Sequence, residues 1–391
     1  MALEARREAR LVPSYSLTGD LLSFLRCGLQ YRYQNGSALP PSRPVQLWFG
    51  EFIHGVMEGA YRVWADGIAD FTTPWLCNMT TWDNRRRPDA TRPQHDIGVI
   101  GDRVELSLAN QGKHPRNRDV REAAYRRADV AVNLIGRHLF PLVTVAEEPL
   151  TGARLIPDPT GLRADRYELT GVVDVLSHVK VNECPPDNLF RQALQRGCGE
   201  LPPEYEVVVD YKGAHRPNHD ESYWDQGEWQ VNTYAWLRNR RDPPVKVAAG
   251  ILIYVNELSP GTDDILNLKE GLRNRLTDEL PTSVEDQRNL ERWRPGHDTQ
   301  NLLSLEYRWR RAVRVIPATA ESIDSATGRF DQIVHSIEAL ISSEARCGDI
   351  SRAWKPTCAD KATCDACDFH SFCPRPAGEK TDRPPTAPDA P

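Results

Sequence analysis

Apolar residues recur at helical spacing in the first third of the chain and at strand spacing in its middle. Phe52, Ile53, Val56, Met57, Ala60, Tyr61 and Val63 repeat at short helical intervals within "VQLWFGEFIHGVMEGAYRVWADG" and predict a helix. Upstream, "PSYSLTGDLLSFLRCGLQYRYQN" sets Leu21, Leu22, Phe24 and Leu25 behind Ser16 or Thr18, either of which can cap a helix. Downstream, "RDVREAAYRRADVAVNLIGRHLFPLV" predicts a second long helix. Residues 70–120, between the last two, are polar, rich in Arg and Asn and poorly periodic, and read as a surface excursion.

From about residue 143 the period shortens towards two. "VTVAEEPL", "RYELTGVVDVLSHV" and "YEVVVDYKG" predict successive strands. The turn-rich "IPDPTGLRAD" joins the first two, and "NECPPDNLFRQALQRGCGELPP" interrupts the last two as an insertion. "ESYWDQGEWQVNTYAWLRNRR" predicts a helix, "VKVAAGILIYVNEL" a buried strand and "SATGRFDQIVHSIEALISSE" a late amphipathic helix. Residues 261–300 are polar and ambiguous, and "PAGEKTDRPPTAPDAP" has the composition of a disordered tail. No internal repeat is seen. Helices, then three strands, a helix and a strand predict one α/β core with insertions.

At 391 residues the chain can bury one large core or two modest ones. Its net charge of −6 neither requires nor excludes nucleic acid, because a local basic groove can sit on an acidic protein. No apolar run approaches the roughly 20 residues that span a bilayer, so no membrane partner is expected. The start, "MALEARREAR", lacks the apolar segment of a secretory signal, and the expected location is cytoplasmic. Five of nine cysteines fall after residue 346: Cys347, Cys358, Cys364, Cys367 and Cys373. In a cytosolic chain such thiols are metal ligands or buried groups rather than disulfides.

The strand "EYEVVVDYKG" ends in charges. Alternation puts Asp210 and Lys212 on one face, with Tyr211 turned away. An ion pair closing a core strand is one reading. The other begins with Asp174, a carboxylate among valines in the neighbouring strand, which is costly unless paired or metal-bound. If the two strands pair, Asp174 and Asp210 converge beside Lys212, and such a set suits a hard divalent ion. His54 on the upstream helix offers an imidazole nitrogen. Gln230 and Tyr234, four apart on a helix, share a face that can support Lys212 or a phosphate. Ordinary packing explains any one of these residues singly.

Taken in order, Gly50-x-x-x-His54, Gly171-Val-Val-Asp174, Asp210-Tyr-Lys212 and Gln230-x-x-x-Tyr234 resemble the successive motifs of RecB-like nucleases of the PD-(D/E)XK superfamily. The resemblance implies a restriction-endonuclease-like α/β core, with a central mixed sheet flanked by helices. It implies Mg²⁺ or Mn²⁺ ligation by His54, Asp174 and Asp210, with the Tyr211 carbonyl as a further ligand. Lys212 becomes the catalytic lysine, and Gln230 and Tyr234 support the site and the DNA. It covers residues 14–65, 143–258 and 330–375 and leaves insertions at 70–120, 182–203 and 261–315 unexplained.

Cys364-x2-Cys367-x5-Cys373 holds thiolates at chelating distance, and a tetrahedral zinc ion with Cys358, His370 or Cys347 as fourth ligand is the general reading. "SLTGDLLSFLRCGLQYRY" is similar to the opening of iron–sulfur members of the same family, among them the CRISPR-associated exonucleases and the AddAB-type nuclease domains. That likeness implies a [4Fe–4S] cluster on Cys27, Cys364, Cys367 and Cys373, closing a loop of more than 300 residues. Here Gly28 stands where a proline often follows the first cysteine.

The expected whole is one nuclease domain over 1–375 with a disordered tail over 376–391. No G-x-x-x-x-G-K-[ST] motor motif is present. The expected activity is a metal-dependent deoxyribonuclease, an exonuclease on single strands or ends, in repair, recombination or antiviral defence. Helicase, CRISPR-adaptation or other defence-complex subunits are the expected protein partners. The alternative is a catalytically inactive DNA-binding scaffold that keeps the fold and cluster.

Overall fold

The computed structural model describes residues 12–35, 46–85, 91–243, 245–358, 364–365, 367–370 and 373–374. The expected tail at 376–391 lies outside them. The chain divides into two compact units. One comprises Met1–Ser42, Pro149–Gly171 and Ile323–Pro391, and the other Arg43–Glu148 and Val172–Ser322. Six strands are described: β1 (Ser14–Ser16), β2 (Val143–Leu155), β3 (Arg166–Lys180), β4 (Glu204–Lys212), β5 (Val247–Tyr254) and β6 (Val313–Pro317).

In the larger unit β4 lies between β3 and β5. It pairs antiparallel with β3 (Val175↔Val209) and parallel with β5 (Asp210↔Leu252), and β5 continues antiparallel to β6 (Ile251↔Val315). Parallel neighbours need a long crossover, which the Ser222–Asn239 helix supplies between β4 and β5. The result is an α/β fold with a mixed sheet flanked by helices. Val207, Val208 and Val209 are all buried because β4 is covered on both faces, which is why it reads as an unbroken apolar run. Phe52, Ile53, Val56 and Met57 of the Gln46–Ala65 helix belong to the same core as Val207, Val209, Ile251 and Ile253.

Three stretches differ from the sequence expectation. Residues 97–110 are not a surface excursion: the Ile97–Asn110 helix buries Ile97, Ile100 and Leu108 in the main core. It looked polar because Asp102 and Glu105 are buried too, held by Arg121 (Nε to Glu105 at 2.7 Å, Nη2 to Asp102 at 3.3 Å) and by the Tyr125 hydroxyl. Residues 262–312 form the short helices Thr262–Asn274, Val284–Arg292 and Leu305–Ala312 around a core of their own: Ile265, Leu268, Leu290, Trp293, Leu303 and Tyr307. Strand β6 is short and carries Arg314 among its apolar residues, so the sequence does not mark it as a core strand. That arginine is buried, with its guanidinium 3.3 Å from the Trp224 ring centre and paired with Glu228.

In the smaller unit β1 runs parallel to the start of β3 (Tyr15↔Leu169). Ser16 is the cap: its hydroxyl accepts the Gly19 N–H at 3.2 Å. Carboxylates on the Ala320–Cys347 helix receive Arg154 and Tyr167 at Asp331, and Arg163 and Tyr15 at Glu338. Among the described residues no helix is long and apolar enough to cross a membrane.

Candidate functional site

The site lies in the larger unit, at the end of β4. The β3–β4 register ends with Val175 opposite Val209, so Asp174 and Asp210 each lie one residue beyond that pair, at the same end of the two strands. Asp174 Oδ2 accepts the Tyr211 N–H at 2.9 Å and lies 3.3 Å from His54 Nδ1. His54 Nε2 lies 2.8 Å from the Tyr211 carbonyl oxygen. Both ring nitrogens therefore face acceptors, an arrangement suited to the imidazolium. Burial alone would depress the His54 pKa, but the Asp174 carboxylate, the Asp210 charge and the Tyr211 carbonyl outweigh it and raise it to about 9.

Asp210 is 4% exposed. Its Oδ2 lies 2.6 Å from Lys212 Nζ, and its Oδ1 accepts Gln230 Nε2 at 2.9 Å. Lys212 in turn donates to Gln230 Oε1, so one amide bridges both charged groups. Tyr234, one turn along the Ser222–Asn239 helix, has its hydroxyl 3.4 Å from Gln230 Nε2. Burial pushes the Asp210 carboxyl up against the pull of Lys212, and the nearby Asp174 adds to the rise. Burial works against the Lys212 ammonium, yet the adjacent Asp210 carboxylate holds its pKa above the ordinary value. Beyond Lys212, the buried Asp210 Oδ2 has no hydrogen-bond donor among the described residues.

Glu147 carries no motif of its own in the sequence. One ligand atom each from His54, Glu147 and Asp174 lies within 4.8 Å of the others, a set of nitrogen and oxygen donors that fits a hard divalent ion. Burial raises the Glu147 carboxyl, and Asp174 and Glu58 raise it further, so negative charge is crowded there. Glu147 has φ +55° inside β2, a conformation uncommon for a side-chain-bearing residue. The only hint in the sequence is a pair of glutamates in a predicted strand. Asp210 stands beside this trio rather than in it. A groove of about 940 Å³ is lined by His54 and Glu147 of the trio together with Glu51, Glu58, Arg62 and Arg103.

Cys27 and the five late cysteines lie in the smaller unit. Cys27 separates two short helices, Leu22–Arg26 and Gly28–Gln34, in extended conformation. Leu29 N–H donates to the Lys355 carbonyl at 3.2 Å and Gly28 N–H to Thr357 Oγ1 at 3.0 Å, which joins the early segment to the late one. Cys27, Cys358, Cys364, Cys367 and Cys373 line one small cavity walled by Leu29, Tyr33, Pro356 and Phe369, with His370 at its edge. None is in a disulfide. Burial, then the neighbouring Cys358, Cys27 and Cys373, push the Cys364 thiol up to about 12. Thiols crowded into one cavity are a donor set suited to a cationic metal centre. Cys347 does not line this cavity.

No protein-family model matches the chain, and comparison with curated proteins returned no match.

Proposed function

We propose that this chain is a divalent-metal-dependent nuclease that hydrolyses phosphodiester bonds in DNA, acting on single strands or ends in repair, recombination or antiviral defence. The observation that carries the reading is the meeting of the His54–Glu147–Asp174 trio with the buried Asp210–Lys212–Gln230 group at one strand end. The RecB-like order of these residues in the chain supports it. An isolated ion pair closing a strand needs neither a histidine nor two further carboxylates beside it.

His54, Glu147 and Asp174 would hold Mg²⁺ or Mn²⁺, with Asp210 Oδ2 and the Tyr211 carbonyl adjacent. Bound there, the ion supplies Lewis-acid polarisation of the phosphodiester and lowers the pKa of water. His54 becomes a ligand only as the neutral imidazole, so it gives up the proton held between Asp174 and Tyr211. Lys212 keeps an ammonium fixed by Asp210 and Gln230 at the edge of the site. A preorganised cation stabilises charge that develops on phosphate oxygens. Gln230 fixes the distance between Lys212 and Asp210, and Tyr234 steadies Gln230.

The thiol cavity would hold a [4Fe–4S] cluster on Cys27, Cys364, Cys367 and Cys373, with Cys358 as a fifth thiol. The likeness of the early segment to iron–sulfur nucleases supports the cluster; the alternative occupant of the same thiols is a tetrahedral zinc ion.

The test is cleavage of labelled single- and double-stranded DNA with Mg²⁺ or Mn²⁺ by the wild type, Asp210→Ala and Lys212→Ala. Each substitution is expected to lower the rate by about 10²–10³-fold. Cleavage that survives both overturns the site. A wild type that binds DNA but cuts nothing in either metal is the scaffold instead.

A further inference from the structure

The Arg118–Ala131 helix and the 262–312 region enclose a cleft of about 520 Å³ that the nuclease reading leaves unused. Three arginines line it: Arg126, Arg127 and Arg308. Arg127 is neutralised, since its Nη2 donates to Asp264 at 2.7 Å. The other two form no ion pair among the described residues, although the charges of Glu122 and Asp286 act on Arg126 and Arg308 at longer range. Arg308 Nη1 donates to the Leu258 carbonyl at 2.8 Å, but its Nε is buried with no hydrogen-bond partner. Arg126 is exposed and makes no hydrogen bond or ion pair among the described residues. Asp298 also lines the cleft, and its carboxylate accepts the Gln300 N–H at 2.9 Å. The N-terminus of the Thr262–Asn274 helix is already taken by Asp264, which accepts the Gly261 N–H at 2.8 Å, so the guanidinium groups carry the site.

The cleft adjoins the end of β4. The Arg127 guanidinium lies 5.4 Å from the Phe49 ring centre. That ring packs on Gly213, directly after Lys212, where an added Cβ would come within 3.0 Å of Phe49 Cδ1. Gly50, next to Phe49, lines the groove that holds His54 and Glu147. Phe49 thus lies between Arg127, at one wall of the cleft, and Gly213, which follows the strand that carries Asp210 and Lys212.

We infer that this cleft is a subsite for a backbone phosphate of the polynucleotide, at a nucleotide away from the bond being cut; the inference rests on the nuclease reading. A guanidinium donor without a partner matches a phosphate oxygen in charge and geometry. Free phosphate carries the same chemistry, and continuity with β4 through Phe49 favours the polymer.

The experiment is anisotropy of a labelled single-stranded oligonucleotide with the full chain in Ca²⁺, between about 50 and 200 mM salt. Arg126→Glu and the double variant Arg126→Ala/Arg308→Ala are expected to bind about tenfold more weakly at the low end. Their log K against log salt is expected to be shallower by about 0.7 for each phosphate no longer neutralised. Arg126→Glu alters an exposed side chain and keeps the test valid if the double variant misfolds. Wild-type affinity and slope in both variants overturn the subsite. So does inorganic phosphate that raises the Tm of the wild type alone while oligonucleotide binding is unchanged, since the cleft then takes free phosphate. A wild type that binds, with the expected weakening in the variants, yet cuts nothing in Mg²⁺ or Mn²⁺, overturns the nuclease reading and upholds the cleft as a phosphate site.

Discussion

Asp210 persists in a strand of valines because each of its oxygens meets a donor or a cation. Gln230 covers Oδ1 and Lys212 faces Oδ2, so burial does not leave the charge alone. The same pairing explains why D-x-K was visible from the sequence: side chains two apart on a strand share a face whatever the rest of the fold does. Glu147 obeys no such local rule. It reaches His54 and Asp174 through a left-handed residue inside β2, and nothing in "VTVAEEPL" distinguishes it from Glu148. Glu147→Gln keeps the shape and removes the charge. Its expected effect is an apparent Mn²⁺ affinity about 10–100-fold weaker, read by titrating Mn²⁺ against cleavage or heat of binding. Unchanged affinity would mean that the trio does not share an ion.

Elements were legible where the buried faces are apolar and obscure where polar groups are inside. The Gln46–Ala65 helix and β4 follow the first pattern. The Ile97–Asn110 helix follows the second, because Asp102 and Glu105 face Arg121 in the interior and break its apolar stripe. Arg121 is 1% exposed and also donates to the Thr80 carbonyl at 2.7 Å. Arg121→Ala removes the cation that two buried carboxylates share, leaving Asp102 with Arg92 as its cation at 3.2 Å, and is expected to cost about 3–5 kcal/mol. Arg118→Ala on the same helix removes only the exposed pair with Glu122 and should scarcely move the transition. Urea unfolding of both variants beside the wild type checks this; equal midpoints would deny the network its role.

At the scale of the whole chain, each site is assembled from distant segments. Cys27 and Cys364 come to one cavity although more than 300 residues separate them. A metal group shared between them would strongly constrain the unfolded chain. Anaerobically purified protein is expected to carry about four iron atoms and as many sulfides per chain, with broad visible absorption. Cys364→Ser/Cys367→Ser should lose both and unfold at lower temperature. Colourless protein with one zinc per chain would overturn the cluster.

Local chemistry was enough to determine the period-two run into Asp210 and Lys212, the helical face of Gln230 and Tyr234, a cap at Ser16 or Thr18 and the spacing of the late cysteines. Each depends on neighbours within a few residues, where backbone geometry dictates what shares a face. Only the tertiary structure decided that Glu147 joins His54 and Asp174, that the Ile97–Asn110 helix lies in the core, and that Arg126, Arg127 and Arg308 line one cleft. Those arrangements join residues far apart in the chain, and they arise from how whole elements pack, which no short window of sequence contains.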